Sequence, residues 1–234
     1  MTSIRRTSAR AGSCLTFLLA FAVVLAGCGT AERERAAGPV PSTVPTVLAV
    51  PAALTDEGVD LRAGPGAVPL ELQLPSLDVV APVVGVGITP TNVMDAPMGP
   101  AGDPVWQQAF WYRGSAVPGE LSTALIAGHV GGPQGSPAVF ADLDRLRSGD
   151  PIVVRDTRSG ADVRFAVTES KTYSLDEAAE PAVLTRIYGA GPVAATWPQP
   201  SADGLAHLTL ITCTGTFKDG THDHRLAVYA TRIA

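Results

Sequence analysis

Sulfur is scarce in this chain: of three cysteines in 234 residues, only Cys213 lies beyond residue 28, so the body of the chain offers that thiol no partner. Charge is scarce too, with 17% charged residues, a formal net charge of −5 and no basic cluster in the body, which argues against nucleic acid as a main partner. The longest apolar run, "CLTFLLAFAVVLAG" near the N-terminus, falls short of the ~20 residues that a membrane-spanning helix needs. Internal repeats are absent. What the chain has in quantity is glycine (24), proline (20) and apolar residues (46%), a composition that suits one β-rich globular domain with many turns plus attachments.

The N-terminal attachment reads as a targeting segment. Arg5, Arg6 and Arg10 form a positive leading region, the apolar run follows, and Leu25, Ala26, Gly27 and Cys28 close it. The order "LAGC" resembles the lipobox of bacterial lipoproteins, which implies that Cys28 is diacylated, becomes the first residue after cleavage and holds the protein to the outer face of the cell membrane. Residues 29–66, typified by "AAGPVPSTVPTVLAVPAAL", have no sustained period and cannot bury enough surface to fold alone, so they read as an extracytoplasmic spacer. A folded domain over 67–234 is expected.

Within that domain the hydrophobic period is two. "LELQLP", "VVAPVVGVGI", "STALIAGHV", "DPIVVRD", "DVRFAVTES", "HLTLITC" and "RLAVYATRI" are short Val-, Ile-, Leu- and Thr-rich runs bounded by Gly, Pro, Asp or Asn. Seven or eight such strands predict a mainly β, closed barrel. Two stretches break the alternation and predict one or two short helices: "AVFADLDRLRSGD", with Phe140, Leu143 and Leu146 at helical spacing before Gly149, and "SLDEAAEPAVLTRIYG".

Strand alternation puts His207, Thr209, Ile211 and Cys213 on one face, with Cys213 at the strand end where a side chain can leave the core for a groove. A free cysteine is most often a small apolar filler. In an exported protein, however, an unpaired thiol risks oxidation and mispairing, which makes a retained one a candidate nucleophile. Such a nucleophile needs a proton-handling partner and a donor for the oxyanion. Of the four histidines, His129 ends the strand "ALIAGHV" at a strand-to-loop junction, His207 sits within an apolar strand, and His222 and His224 flank Asp223 in the polar stretch "TGTFKDGTHDH", read as a solvated loop. A metal site on "HDH" lacks identifiable further ligands, so no metal or other cofactor is assigned. Arg225 opens the strand "RLAVYA" twelve residues after Cys213, and antiparallel pairing would bring its guanidinium near the sulfur; alone, it could equally be a solubilising edge residue.

Together these stretches resemble the sortase family of cysteine transpeptidases, from about Leu72 to the C-terminus. "LQLPSLDVVAPVVGVGI" is similar to the paired first strands of that barrel and "WYRGSAVPGELSTALIAGHV" to the segment carrying the family histidine. "PAVFADLDRLRSGDPIVV" is similar to the helix and strand that follow, "LTLITCTG" to the nucleophile strand and "RLAVYA" to the arginine strand. The actinobacterial class E and F forms look most alike. The resemblance implies Cys213 as nucleophile, His129 as general acid and base, and Arg225 as stabiliser of the oxyanion or substrate carbonyl. It also implies a sorting-signal peptide of the LPXTG or LAXTG kind as substrate, and an amine of a peptidoglycan precursor or pilin as acceptor. Thr214 after the cysteine, Gly131 after "GHV", the short Cys-to-Arg connection and the lipobox depart from common family patterns and bear on substrate preference and tether. Competing readings are a catalytically silent sortase-like lipoprotein serving as a binding or assembly module, a hydrolytic cysteine protease, and an L,D-transpeptidase; the last places His and Gly directly before its cysteine, whereas Thr212 precedes Cys213 here.

The lipobox generates a direct expectation. Wild type should incorporate radiolabelled palmitate and Cys28→Ser should not, with maturation of the variant blocked; equal labelling of the two would remove the lipid tether.

Overall fold

The computed structural model describes residues 60–234 apart from Ala195 and Asp219; the targeting segment, Cys28 and most of the spacer lie outside the described residues. Eight strands close into one mixed barrel: β1 (Gly66–Leu74), β2 (Val79–Val86), β3 (Ala109–Tyr112), β4 (Thr123–Gly128), β5 (Pro151–Asp156), β6 (Asp162–Ser174), β7 (His207–Lys218) and β8 (Thr221–Arg232). Around the barrel they run β1-β2-β3-β4-β7-β8-β6-β5, with β5 pairing back to β1. Two neighbour pairs, β2 with β3 and β4 with β7, are parallel and the rest antiparallel.

The seven β-period runs are seven of these strands. The eighth, β3, is the tetrapeptide Ala109–Tyr112, and all four of its residues are buried. Ala109 and Trp111 face the barrel interior, while Phe110 and Tyr112 join separate apolar clusters outside it. A strand covered on both faces shows no polar alternation, which is why the pattern of the sequence does not reveal it.

The barrel interior is filled by alternate residues, among them Leu72 and Leu74 of β1, Ile126 of β4, Leu208 and Leu210 of β7 and Val228 of β8. Phe140, Leu143 and Leu146 are buried with them, but "AVFADLDRLRSGD" is not an α-helix: only Leu143–Arg145 is helical, as a 3-10 turn. Their strict spacing of three matches 3.0 residues per turn, so three side chains stay on one side without the width an α-helix would present.

Between β6 and β7 the chain forms α1 (Leu175–Ala179) and α2 (Pro181–Tyr188). Ser174 caps α1 through a full capping box with Glu177, and Pro181 ends it because the residue before a proline is forced out of helical geometry. These helices cover the outer face of the sheet, where Ile187 packs with Leu125, Tyr173, Ala227 and Tyr229. Arg186 pins α2 to the barrel: it pairs with Glu169 and lies 4.2 Å from the centroid of the Tyr229 ring. The Tyr229 phenol, buried and bonded to Tyr173 Oη at 3.0 Å, is pushed well above its ordinary range.

The stretch read as a loop between Cys213 and Arg225 is a continuation of the strands. β7 reaches Lys218 and β8 begins at Thr221, so the connection is two residues long. Among the described residues no helix is long and apolar enough to cross a membrane, and no group of three or more His, Cys, Asp or Glu side chains is placed to hold a metal ion.

At the end of β5 the Asp156 side chain is 3% exposed and accepts from the Arg158 backbone N–H at 2.8 Å. That bond, the Arg158 and Ser159 side chains and the Arg158 charge lower its pKa to about 2. A depressed carboxylate contributes stability that is fully present above its unfolded value of ~3.9 and is lost as pH falls through the folded value. Acid denaturation curves should therefore steepen between pH ~4 and ~2, and Asp156→Asn should flatten that part of the curve. Parallel curves for the two proteins would remove Asp156 from the acid limb.

Candidate active site

Side-chain phase determines where Cys213 points. Along β7, Leu208 and Leu210 enter the barrel, so Ile211 and Cys213 look outward, toward the face that α1 and α2 flank. Cys213 is a free, half-buried thiol.

Its two neighbouring strands bring the other residues. On the antiparallel side, Arg225 of β8 is the direct register partner of Cys213, which sets their Cα atoms about 4.5–5.5 Å apart. On the parallel side, Ala127 of β4 pairs with Ile211, and two residues further along each chain stand His129 and Cys213, in the same outward phase. The backbone ladder ends there and a side chain continues it. Thr212, 4% exposed, donates its hydroxyl to Gly128 O at 2.8 Å, clipping the cysteine strand to the residue before His129. Gly128 suits that spot because a Cβ would meet the Phe140 ring at 2.5 Å.

His129, Cys213 and Arg225 line one groove of about 610 Å³ on the outer face of the sheet. Its other walls are Asn92, Val93, Met94 and Ala96 from the β2–β3 connection, and Leu175, Ala178, Leu184, Ile187 and Tyr188 from the two helices. The wall is largely apolar, with Asn92, Thr212 and Tyr188 as its neutral polar members, which leaves the thiol, imidazole and guanidinium as the groove's chemically distinctive content. His207 lies far along β7, held by Asp203 at 3.1 Å and by Thr231, and takes no part in the groove; His222 and His224 lie on β8 beside it without lining it.

The imidazole is held on three sides. Trp106 and Phe110 pack on it with ring centroids 4.8 and 5.1 Å away, and its Nε2 lies 2.8 Å from Pro97 O. A carbonyl can only accept, so Nε2 carries the hydrogen and Nδ1 is the nitrogen that can take up or release a proton. The guanidinium is held by its own strand, donating from Nη1 to His222 O at 3.1 Å and His224 O at 2.9 Å. Tyr188 adds a phenol to the wall; burial pushes its pKa up, nearby Tyr112 adds to this, and the Arg225 charge offsets part of it, so the group stays un-ionised near neutral pH.

Four of these features are not legible in the sequence. The Pro97 carbonyl is backbone and leaves no residue signature. Trp106 and Phe110 meet His129 only through the fold. In the sequence Thr212 is marked only as the residue before the cysteine, and Tyr188 only as part of a helical segment.

Fold and groove define a class: an outward-facing thiol beside an imidazole and a guanidinium on a closed mixed barrel is the equipment of a cysteine acyl-transfer enzyme. The Sortase domain family matches residues 72–233, and the chain belongs to the sortase family of cysteine transpeptidases, which act on sorting signals. Among solved structures, a lid mutant of sortase A from Corynebacterium diphtheriae is 20% identical with a TM-score of 0.47, over 75% of this chain and 74% of that one. Sortase C-1 from Actinomyces oris is 20% identical with a TM-score of 0.47, over 71% and 76%. Sortase C1 from Streptococcus agalactiae is 22% identical with a TM-score of 0.46, over 70% and 66%. No curated protein matches the chain.

The Thr212 bond generates a test of how the groove is held. Thr212→Val keeps the shape but strands a buried carbonyl, so unfolding should become about 1–3 kcal/mol easier by denaturant titration, while Thr212→Ser should recover most of the difference. Unchanged stability in Thr212→Val would show that the strand pairing alone holds β4 to β7.

Proposed function

We propose that the protein is a membrane-tethered, extracytoplasmic transpeptidase that cleaves an LPXTG- or LAXTG-like sorting signal between Thr and Gly and transfers the acyl part to a cell-wall or pilin amine. Residues 67–234 form its catalytic domain, 29–66 its spacer, and Cys28 its point of lipid attachment. The observation that carries the reading is the row formed by His129, the first residue after β4, with Cys213 of β7 and Arg225 of β8, lining one groove.

The chemistry follows from that row. The Cys213 sulfur, as thiolate, attacks the Thr carbonyl carbon, and the carbonyl electron pair moves onto oxygen. Arg225, always charged and carrying a planar fork of donors, stabilises that oxyanion. Collapse breaks the Thr–Gly bond, and the departing Gly amine takes its proton from Nδ1 of the His129 imidazolium, leaving a thioester on Cys213. The incoming amine attacks the thioester, gives its proton to the now neutral Nδ1, and expels the thiolate. Nε2 keeps its hydrogen, donated to Pro97 O, throughout, so the ring exchanges protons on one side only. Water is the competing acceptor, and the largely apolar wall formed by Met94, Leu184 and Ile187 disfavours it.

A sorting peptide given without an amine acceptor should leave the enzyme heavier by the fragment ending in Thr, with the Gly-containing fragment free in solution. Hydroxylamine should then release a hydroxamate and regenerate free enzyme. Cys213→Ala should form no adduct and His129→Ala should form it very slowly. Cleavage by Cys213→Ala at the wild-type rate would overturn the mechanism, and binding of the peptide without any mass gain would favour a silent binding module.

A further inference from the structure

The "HDH" triplet before Arg225 is absorbed neither by the groove nor by a metal site, yet it is tied into the backbone between Cys213 and Arg225. Thr214 pairs with His224 and Phe217 with His222, so three steps along β7 run against two along β8, a bulge that begins directly after the nucleophile strand's "TCT". A bulge leaves backbone groups without ladder partners, and here side chains satisfy them. Asp223 Oδ1 accepts from the Thr216 N–H at 2.8 Å and from His224 Nδ1–H at 2.6 Å, and the His222 ring donates from Nδ1 to Gly215 O at 3.3 Å. Gly215 takes φ +82°, and a Cβ on it would collide with Asp223 Oδ1 and His224 Nδ1. The two carbonyls that hold the Arg225 guanidinium belong to His222 and His224, the residues on either side of Asp223.

We propose that Asp223 is a positioning residue for Arg225: its carboxylate locks the bulge, the lock fixes the flanking carbonyls, and those carbonyls aim the guanidinium at the groove that Cys213 lines. This rests on the reading of Arg225 as the oxyanion donor. His224, together with the Thr216 N–H, holds the Asp223 carboxyl below the usual carboxylate range, so the anchor stays anionic. The alternative is a plain stability role, and magnitudes decide against it. Asp223 and His224 side chains are 49% and 40% exposed, and ion pairs that open to water contribute only ~0–1 kcal/mol. The arrangement has far more to offer in geometry, because small displacements of a catalytic donor are costly in rate.

The test is the charge selectivity of Cys213 modification, which needs no knowledge of the true substrate. In the full chain, rates of reaction with an anionic and a cationic methanethiosulfonate are followed by mass on the peptide carrying Cys213, and their ratio reports positive charge at the sulfur. Arg225→Ala should lower the anionic-to-cationic ratio about tenfold. Asp223→Ala should lower it comparably, although removal of a carboxylate by itself would raise it, so the sign separates displacement of Arg225 from simple Coulomb attraction. The double variant should fall no further than Arg225→Ala, and Asp223→Asn, which keeps an acceptor oxygen for Thr216, should stay at or above wild type. A second readout is transfer of a sorting peptide to an amine, where Asp223→Ala should lower kcat with little change in KM. The inference is overturned if Asp223→Ala leaves the ratio at or above wild type while Arg225→Ala lowers it, or if the two losses multiply in the double variant. If Arg225→Ala leaves both the ratio and transfer unchanged, the reading of Arg225 itself falls.

Discussion

Everything in the groove depends on the position of β7 between a parallel and an antiparallel neighbour. A strand shows every second side chain to each face, and one residue of slip would exchange the faces. The β7 register is therefore held from both sides: by pairing of Thr123–Ala127 with His207–Ile211 on β4, and by pairing along nearly its whole length with β8. In that register Leu208 and Leu210 fill the barrel while Ile211 and Cys213 face out. Because β4 ends at Gly128, the Thr212 hydroxyl supplies the last bond between the two strands, one residue from both His129 and Cys213.

A row of polar side chains on the outside of a barrel would ordinarily be washed by water. Here the β6–β7 connection folds into two short helices whose apolar side chains rise along one side, and the β2–β3 connection supplies the other. The helical wall is not held by apolar contact alone, since Arg186 ties α2 to Glu169 and to the Tyr229 ring on the strands beneath. The opposite wall is braced by the chain preceding the barrel: Arg62 donates to Thr89 O and Asn92 Oδ1, and Leu61 O accepts from Ile88 N. Two of the groove's polar side chains have backbone anchors, Pro97 O for His129 and the His222 and His224 carbonyls for Arg225, so the groove is organised before any ligand enters. Preorganised donors avoid the cost of reorientation during a reaction.

β1, β2 and β6 are legible because each carries one buried and one wetter face, and period-two alternation records that difference directly; β4, β5, β7 and β8, with longer buried stretches, are legible as apolar, β-branched runs bounded by turn residues. β3, four residues long and buried on both faces, carries neither signal. The spacing of Phe140, Leu143 and Leu146 reports a buried side truthfully, but residues three apart fit a 3-10 turn as well as a helix, and the surrounding contacts choose the former. "TGTFKDGTHDH" looks like a loop because its residues are polar; its strands project past the covered part of the barrel, where pairing no longer requires apolar side chains and the ladder itself holds the hairpin.

The sequence by itself determined the class of fold, through alternation and punctuation by Gly and Pro, and its motifs resemble one family closely enough to single out His129, Cys213 and Arg225 as candidates, because all of these are local properties written in residue types. Only the tertiary structure decided that His129 shares a groove with the thiol while the other three histidines do not, which nitrogen of that ring holds its proton, and which carbonyls accept from the arginine. Those depend on contacts such as His129 with Pro97 O, 32 residues apart, and Thr212 with Gly128 O, 84 residues apart. Backbone carbonyls are present at every residue, so no residue type marks the ones that matter, and only closure of the barrel brings them to the side chains they hold.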